Sequence, residues 1–456
     1  MARVLRYFWV FMMLFIAVGT VSSQVTESIR GLHKVKKKET IFGISRMYEI
    51  TIEELINANP EMKAPGYELK KGDVIRIPYP GQVPSAQNDA DNTGSSYPKK
   101  PDDLRGRALR LGVMLPLHDI NGDGRRMVEY YRGVLMACDS LKKEGISVNV
   151  HAWNTAEDCD INKVLADKAA ADCDLIIGPL YSKQMDALSD FVEKNDIRLV
   201  IPFSINAPQL TTNPNIFRIW QSPTEVNEAT IGHFLDRFKG YHPIFIDCND
   251  STSKKGQFTA GLRRQLEQRD ILYSLTNLKS GESDFSKAFS RTQPNVVILN
   301  TGRSSELGIA FSKINGLKVN NPELNITMFG YADWLLYTRT HLDNFYKYNA
   351  YIPSVFYYDP LSAGSKRMQQ KFRWNFHADM QNSLPRFAIT GFDHAYFFLK
   401  GMQQYGRSFS GAAGMLGYPA IQTPLQFERY ANGGFRNKTM LFVHYTPEHR
   451  VEVIKL

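Results

Sequence analysis

Apolar and polar positions alternate along residues 109–456 in a way that predicts strands and helices in turn. Short, continuously apolar runs such as RLGVMLPL (110–117) and DLIIGP (174–179) are typical of strands buried on both faces. Between them, RMVEYYRGVLMACDSLKKEG (126–145) carries its apolar residues at helical spacing. This alternation predicts an α/β architecture built from doubly wound parallel sheets.

The same rhythm restarts at HPIFIDC (242–248). We therefore expect a bilobed domain at 108–456, with a first lobe at about 108–220, a second at about 222–350, and later crossings between them. The chain closes with two runs that predict an antiparallel strand pair, NKTMLFVHYT (437–446) and RVEVIKL (450–456).

A separate small βααβ unit is predicted at residues 33–80. Thr40 can cap a first helix, and Thr51 followed by Glu54 has the pattern of a capping box at the start of a second. Asn59-Pro60 ends the second helix. The unit is predicted to open and close with short strands, at 33–35 and 74–77.

Positions that span the whole small unit match a known family pattern: Val35, Glu39-Thr40-Ile41, Ile44-Ser45, Tyr48, Ile50-Thr51, Leu55, Asn57, Asn59-Pro60, Leu69, Gly72-Asp73 and Ile77-Pro78. With these residues the unit resembles the LysM domain, a glycan-binding module. One departure is Lys38, where the family usually has glycine. The resemblance implies binding to the N-acetylglucosamine chains of peptidoglycan.

The resemblance also implies where the glycan lies. In the family, the sugar occupies a shallow groove between the loop before the first helix and the loop after the second. Backbone groups bond the N-acetyl moiety there, and apolar side chains cover its methyl group. The corresponding residues in this sequence are Glu39, Thr40, Ile41, Phe42, Asn59, Pro60, Glu61 and Met62.

Residues 1–23 have the pattern of a cleaved secretory signal peptide, since Arg3 and Arg6 precede an apolar run at 8–18. An uncleaved anchor is the alternative, but this run is shorter than the ~20 residues that a membrane span needs. We expect an exported protein that is periplasmic or associated with the cell wall.

Residues 81–107 are rich in Pro, Ser, Asn and Asp and have almost no large apolar side chain. Such a composition cannot bury enough surface to order itself, and it predicts a flexible linker. The small unit would then be tethered to the rest of the chain.

The formal net charge of +9 suits an anionic partner. Export argues against nucleic acid and favours anionic wall polymers or lipid head groups, with solvated surface charge as the alternative. The cysteines Cys138, Cys159, Cys173 and Cys248 are too few for a disulfide scaffold, and their spacing fits no metal site. A bridge among the first three stays open, with buried free thiols as the alternative. No cofactor or metal is expected.

Six motifs of residues 109–456 carry a resemblance to a known family: LGVMLPL (111–117), IIGPLYS (176–182), VIPFSINAPQLT (200–211), IFRIWQSPTE (216–225), GFDHAYFFLKGM (391–402) and PLQFERYANGGFRNKTMLFVHY (424–445). With these motifs the segment resembles type I periplasmic binding proteins, the group that includes receptors for branched-chain amino acids. The resemblance implies two lobes with a ligand cleft between them.

Ligands of doubly wound folds bind beyond the carboxyl ends of the strands. The resemblance implies that first-lobe hydroxyls and amides hold an α-carboxylate, while a second-lobe acid pairs with the α-ammonium. The alternative is that the candidates are ordinary turn and capping residues. The candidate cleft residues are Tyr181, Ser182, Ser204, Asn206, Asp250 and Asp333.

The sequence contains no G-x-S-x-G nucleophile elbow, no H-E-x-x-H motif and no catalytic Cys/His signature. We therefore expect a non-catalytic protein, and two functions remain. In the first, the small unit holds the protein on peptidoglycan and the bilobed domain binds a protein, such as a cell-wall synthase or hydrolase, and regulates wall synthesis. In the second, the protein is a receptor that delivers an amino acid-like ligand to an ABC-type transporter.

Overall fold

The computed structural model describes residues 29–36, 39–48, 50–63, 67, 69–78 and 103–456. The predicted signal peptide and most of the predicted linker lie outside these residues. The described residues form two compact units, the first within 29–78 and the second at 103–456. Within the described residues, no helix combines the length and apolar character needed to cross a membrane.

The first unit has the predicted βααβ order. Its two strands pair antiparallel, with Leu32 opposite Arg76. The first strand begins earlier than predicted because Ile29 and Gly31 extend the pairing as far as Pro78. The elements are β1 (Ile29–Lys34), α1 (Ile41–Met47), α2 (Ile52–Asn57), a 3₁₀ turn (Pro60–Lys63) and β2 (Val74–Pro78).

Both helices of this unit begin at the predicted caps. The Thr40 hydroxyl accepts a hydrogen bond from the Gly43 N–H at 3.0 Å. Thr51 and Glu54 form the capping box, in which each side chain accepts from the other residue's backbone N–H. The helices pack on a small apolar core made of Val35, Ile44, Ile50, Leu55, Met62, Ile75 and Ile77.

The second unit alternates strands and helices, as predicted. Its first half contains β3 (Leu109–Leu115), α3 (Gly122–Lys143), β4 (Val148–Asn154), α4 (Ile161–Leu165), α5 (Lys168–Ala171), β5 (Leu175–Ile177), α6 (Met185–Lys194), β6 (Arg198–Ile201), β7 (Ile216–Arg218), α7 (Pro223–Arg237), β8 (His242–Asp247), α8 (Gly256–Glu267) and β9 (Ser274–Asn277). Its second half contains α9 (Glu282–Lys287), β10 (Asn295–Leu299), α10 (Ser304–Asn320), β11 (Ile326–Phe329), α11 (Thr338–Lys347), β12 (Tyr351–Ser354), α12 (Ala363–Phe376), α13 (Phe387–Tyr405), β13 (Phe427–Arg429), β14 (Phe435–Asn437), β15 (Leu441–Thr446) and β16 (Arg450–Lys455).

These strands form two seven-stranded sheets, one in each lobe, and the fold class is the one predicted. The first sheet has the order β13-β14-β7-β6-β5-β3-β4, and the second has the order β16-β15-β12-β11-β10-β8-β9. Pairing is parallel except at one end of each sheet, where β13–β14, β12–β15 and β15–β16 run antiparallel. The predicted terminal strand pair is β15–β16 and is confirmed.

The chain passes between the lobes three times, near residues 219–222, 355–357 and 438–440. Helices α12 and α13 return to the first lobe, whose core includes Phe372 and Phe398. The strand β11 and the helix α11 were not predicted from the sequence.

Helices α3 and α13 approach each other closely in the first lobe because each has a glycine at the contact. A Cβ atom on Gly133 would lie 1.8 Å from the Ala388 carbonyl oxygen, and one on Gly391 would lie 2.1 Å from the Tyr130 carbonyl oxygen. Both distances are far below van der Waals contact, so each position accepts only glycine without movement of a backbone.

Candidate functional site

In the first unit, a buried histidine fixes the loop before α1. One ring nitrogen of His33 lies 2.8 Å from the Glu39 carboxylate, and the other lies 2.9 Å from the Tyr48 hydroxyl. The Lys36 N–H donates to the same carboxylate at 2.7 Å. The Lys36 N–H bond and the His33 ring lower the pKa of Glu39. Glu39 therefore holds its own loop as a carboxylate.

The loop after α2 is fixed by Asn59, whose side chain is fully buried. Its amide group donates to the carbonyls of Leu55 and Arg76 at 2.7 and 2.8 Å, and its oxygen accepts from the Arg76 N–H at 2.7 Å. These bonds join α2 to β2. Because its amide group is engaged by these three bonds, Asn59 supports the backbone of the predicted glycan loop.

The other predicted glycan residues divide by exposure. Ile41 and Met62, one from each loop, pack on the same small core. Thr40 and Glu61 are exposed. The side chains of Phe42 and Pro60 lie outside the described part of the structure. The two loops thus share a packing surface, although they are separated along the chain.

In the second unit, two first-lobe cleft candidates lie close together. The Ser182 hydroxyl accepts a hydrogen bond from the Asn206 N–H at 2.8 Å, which joins the loops after β5 and β6. Ser182, Ser204 and Asn206 are exposed, and Tyr181 is half-buried. Burial, with the Asp123 carboxylate nearby, raises the pKa of Tyr181. This edge offers neutral hydrogen-bonding groups.

In the second lobe, Asp333 is already paired with a cation of its own lobe. The Lys255 ammonium lies 2.5 Å from the Asp333 carboxylate and 4.8 Å from the centre of the Tyr331 ring. Gly302 leaves room for this pair, since a Cβ there would lie within 3.0 Å of both side chains. A ligand ammonium at Asp333 would have to share the carboxylate with Lys255, whose positive charge would oppose it.

Asp250 is also engaged within the second lobe. Its carboxylate accepts hydrogen bonds from the hydroxyls of Thr252 and Thr301, both at 2.7 Å, and it lies 3.7 Å from the Arg303 guanidinium. The Thr252 and Thr301 bonds lower the pKa of Asp250. This geometry is that of a residue that shapes the turn after β8, which is the alternative left open above.

Glu225, in the first turn of α7, anchors the crossing near residues 219–222 to the first lobe. Its carboxylate pairs with Arg218 of β7 and with Arg436 of β14, both in the first lobe. It also accepts from the Ser222 N–H at 2.8 Å in a capping box. Burial opposes its ionisation, but the Ser222 bonds and Arg218 keep the pKa of Glu225 below its ordinary value.

Sequence reasoning missed Lys255, Arg303 and Glu225. No short-range pattern marks the pairing of Lys255 with Asp333 or of Arg303 with Asp250, because the partners lie on distant turns: Lys255 and Asp333 are 78 positions apart. Glu225 was visible only as part of SPTE (222–225), which has the spacing of a capping box.

All four cysteines are free thiols, with Cys173 and Cys248 buried. Burial raises the pKa of the Cys138 and Cys248 thiols to about 12. Across the described residues, no three His, Cys, Asp or Glu side chains converge as metal ligands. The aromatic run YADWLLY (331–337) enters the core, where Trp334 stacks on Phe345 at 5.8 Å.

The LysM family profile matches residues 33–78. The first unit is a LysM domain. The match includes both capped helices, the buried Asn59 and both loops of the predicted glycan groove. No curated protein matches the chain in sequence.

Solved structures show the fold of the second unit. A protein assigned to a branched-chain amino acid ABC transporter of Rhodospirillum rubrum is 14% identical with a TM-score of 0.51, over 76% of this chain and 100% of that one. LpoA from Haemophilus influenzae is 14% identical with a TM-score of 0.48, over 78% of this chain and 60% of that one. LivJ from Streptococcus pneumoniae, bound to isoleucine, is 13% identical with a TM-score of 0.38, over 77% of this chain and 100% of that one. The second unit has the bilobed type I periplasmic-binding-protein fold.

Proposed function

We propose that this chain is an exported, non-catalytic, wall-associated protein that binds peptidoglycan through its LysM domain and a protein partner through its bilobed unit. The observation that carries the proposal is the LysM match at 33–78. Two loops whose backbone is fixed by Glu39 and Asn59 also suit a preformed groove, because fixed loops lose little conformational entropy on binding.

A protein partner is favoured because the second-lobe edge of the bilobed unit leaves neither of its acidic candidates unpaired. Both acidic candidates there already have partners. Asp333 pairs with Lys255. Asp250 contacts Thr301, Thr252 and Arg303. An amino acid ligand needs an available counter-charge for its ammonium, since a desolvated charge without a partner is costly. A protein that binds across the exposed edges needs no such group. A cell-wall synthase or hydrolase fits this role, because attachment to the wall raises the local concentration of both proteins.

The glycan site is tested with an Ile41→Ser variant of the full chain. Ile41 is the first residue of α1, in the predicted groove, and loss of its apolar contact should weaken binding about tenfold. Ile52→Ser is the matched control, because Ile52 is the first residue of α2 and its side chain is 41% exposed.

Sedimentation with purified peptidoglycan gives the readout, after thermal unfolding has shown that both variants are folded. We expect Ile41→Ser to stay largely in the supernatant while Ile52→Ser sediments like the unmodified chain. Equal sedimentation of a folded Ile41→Ser variant would remove this groove from the proposal.

The alternative is a receptor for an amino acid transporter, which the exposed groups of the first-lobe edge, Ser182 and Asn206, would suit. Thermal unfolding with a panel of amino acids separates the two functions. A bound ligand at ~100-fold excess over its Kd stabilises the native state by about 2.7 kcal/mol. We expect no shift that the N-acetylated form of the same amino acid does not also give. A clear shift with one amino acid that is absent with its N-acetylated form, which lacks the ammonium, would establish the receptor.

A further inference from the structure

A cleft of about 460 Å³ lies within the second lobe, and none of the six cleft candidates described above lines it. Its walls are the last residues of the neighbouring strands β8 and β9 and one face of α8, the helix that connects them. This volume falls in the range of about 300–1,000 Å³ that small-molecule sites occupy. The carboxyl ends of parallel strands are also where doubly wound folds bind their ligands.

The polar floor of this cleft is held by bonds among its own side chains. Asp247 accepts from the Asn249 N–H at 2.9 Å, from the Asn300 amide at 2.8 Å and from the Asn277 amide at 3.2 Å. Asn277 in turn accepts from the Asn249 amide at 2.9 Å and from the Lys279 N–H at 2.7 Å. Asp247 therefore already has three donors, and the floor is rigid.

The guanidinium of Arg263 takes no part in these bonds. It lines the cleft from α8, half-buried, and its Nε is buried with no hydrogen-bond partner. Among the described residues, no carboxylate lies within ion-pair distance of its guanidinium. A partly buried guanidinium that lacks an anion is unfavourable, and its planar donors match the two oxygens of a carboxylate.

The remaining walls indicate what such an anion would be attached to. Phe245 and Leu275 provide apolar surface, and the Leu275 side chain is 58% exposed. Thr259 and Ser280 add hydroxyl groups. Apolar walls give a small inorganic anion nothing to contact, but they would cover the apolar body of a small organic acid.

We propose that this cleft is a second ligand site, which binds a small carboxylate with an apolar body through Arg263. The site needs neither the LysM groove nor a counter-charge for an ammonium. Its existence is therefore independent of the function proposed above.

The test uses the full chain and N-acetylvaline, measured by isothermal titration calorimetry at low ionic strength. Acetylation removes the ammonium, so the probe cannot use the interaction expected between the lobes. We expect saturable binding that weakens at least about tenfold for N-acetylvalinamide, which lacks the carboxylate, and by a similar factor for Arg263→Gln. Inorganic phosphate should bind more weakly than N-acetylvaline.

Arg264→Gln is the matched control, since Arg264 is the next residue of α8, is exposed and carries the same charge. We expect this variant and Ile41→Ser to bind N-acetylvaline as the unmodified chain does. If Arg263→Gln fails to fold, Leu275→Asp replaces it, because a carboxylate on the exposed wall should repel the probe to a similar extent.

The proposal is overturned if the unmodified chain does not bind N-acetylvaline at millimolar concentration. It is equally overturned if the amide binds as well as the acid, if folded variants of Arg263 or Leu275 bind normally, or if phosphate binds better than N-acetylvaline.

Discussion

The LysM domain and the bilobed unit hold their candidate binding loops in different ways. In the LysM domain, the helix-capping contacts join residues three positions apart, Thr40 to Gly43 and Thr51 to Glu54. In the bilobed unit, the decisive contact joins Lys255 to Asp333 across 78 positions. Local contacts start the helices beside the LysM loops, whereas distant contacts decide whether a cleft residue is available to a ligand at all.

The largest effect we expect comes from a contact that joins distant parts of the LysM domain. Asn59→Ala removes an amide that satisfies three backbone groups of Leu55 and Arg76. Each group left unsatisfied costs about 1–3 kcal/mol, and so small a domain has little stability to lose. In calorimetry, the LysM transition should disappear while the bilobed unit unfolds as before.

Asn57→Ala is the control for that variant, because Asn57 lies at the end of the same helix and is only half-buried. A LysM domain that tolerates Asn59→Ala as well as Asn57→Ala would show that its loop does not depend on the buried amide.

The next effect concerns the bilobed unit alone. Gly391→Ala places a Cβ 2.1 Å from the Tyr130 carbonyl oxygen, between α13 and α3. Overpacking of this kind costs about 1–3 kcal/mol, to be measured by denaturant unfolding of the bilobed unit.

Gly232→Ala is the matched control, since Gly232 lies within α7 and its added Cβ would meet nothing within 4 Å. That variant should be neutral or more stable by up to about 1 kcal/mol, because alanine is the better helix former. Equal behaviour of the two variants would mean that the helices separate more easily than their contact indicates.

A smaller effect is expected at the cleft. Lys255→Met breaks the pair with Asp333, in which the carboxylate side chain is 46% exposed. Partly exposed pairs contribute at most about 1 kcal/mol, so unfolding in denaturant should change by less than that amount. A much larger loss would show that this pair holds the second lobe together, and its role in blocking an ammonium site would become secondary.

The smallest effect is a pH dependence of the LysM domain. The folded pKa of Glu39 is lowered from its ordinary value of 4.5 by the Lys36 N–H and by His33. The carboxylate therefore contributes stability above that value, and the contribution is lost as pH falls through the lower folded pKa. The LysM transition in calorimetry should drop below pH 4.5, and Glu39→Gln should flatten this dependence. A profile unchanged by Glu39→Gln would exclude Glu39 as its source.

Features that depend on local contacts were predictable from the sequence, and features that depend on distant contacts were not. Helix starts in the LysM domain were predictable because the side chains of Thr40 and Thr51 accept hydrogen bonds from backbone N–H groups three residues further along the chain. The doubly wound lobes were predictable because buried parallel strands are continuously apolar. Later crossings between the lobes were expected as well, but the close contact between α13 and α3 was not, because it depends on packing between helices that are distant along the chain.

The candidate sites show the same limit. The six cleft residues were chosen as residues that follow strands, and the structure joins Ser182 to Asn206. Whether Asp250 and Asp333 were available depended on Thr301 and Lys255, which no local pattern connects to them. No sequence pattern predicts the Arg263 cleft, since an arginine on an amphipathic helix is ordinarily a solvated residue.

The central claim is that the LysM domain recognises the N-acetyl groups of peptidoglycan chains. The most direct measurement is calorimetric titration of the full chain with a pentamer of N-acetylglucosamine, and with cellopentaose, which has the same linkage but lacks the N-acetyl groups. We predict saturable binding of the first sugar, lost in Asn59→Ala, and no binding of the second. Absence of binding to both sugars, or equal binding of the two, would contradict the account.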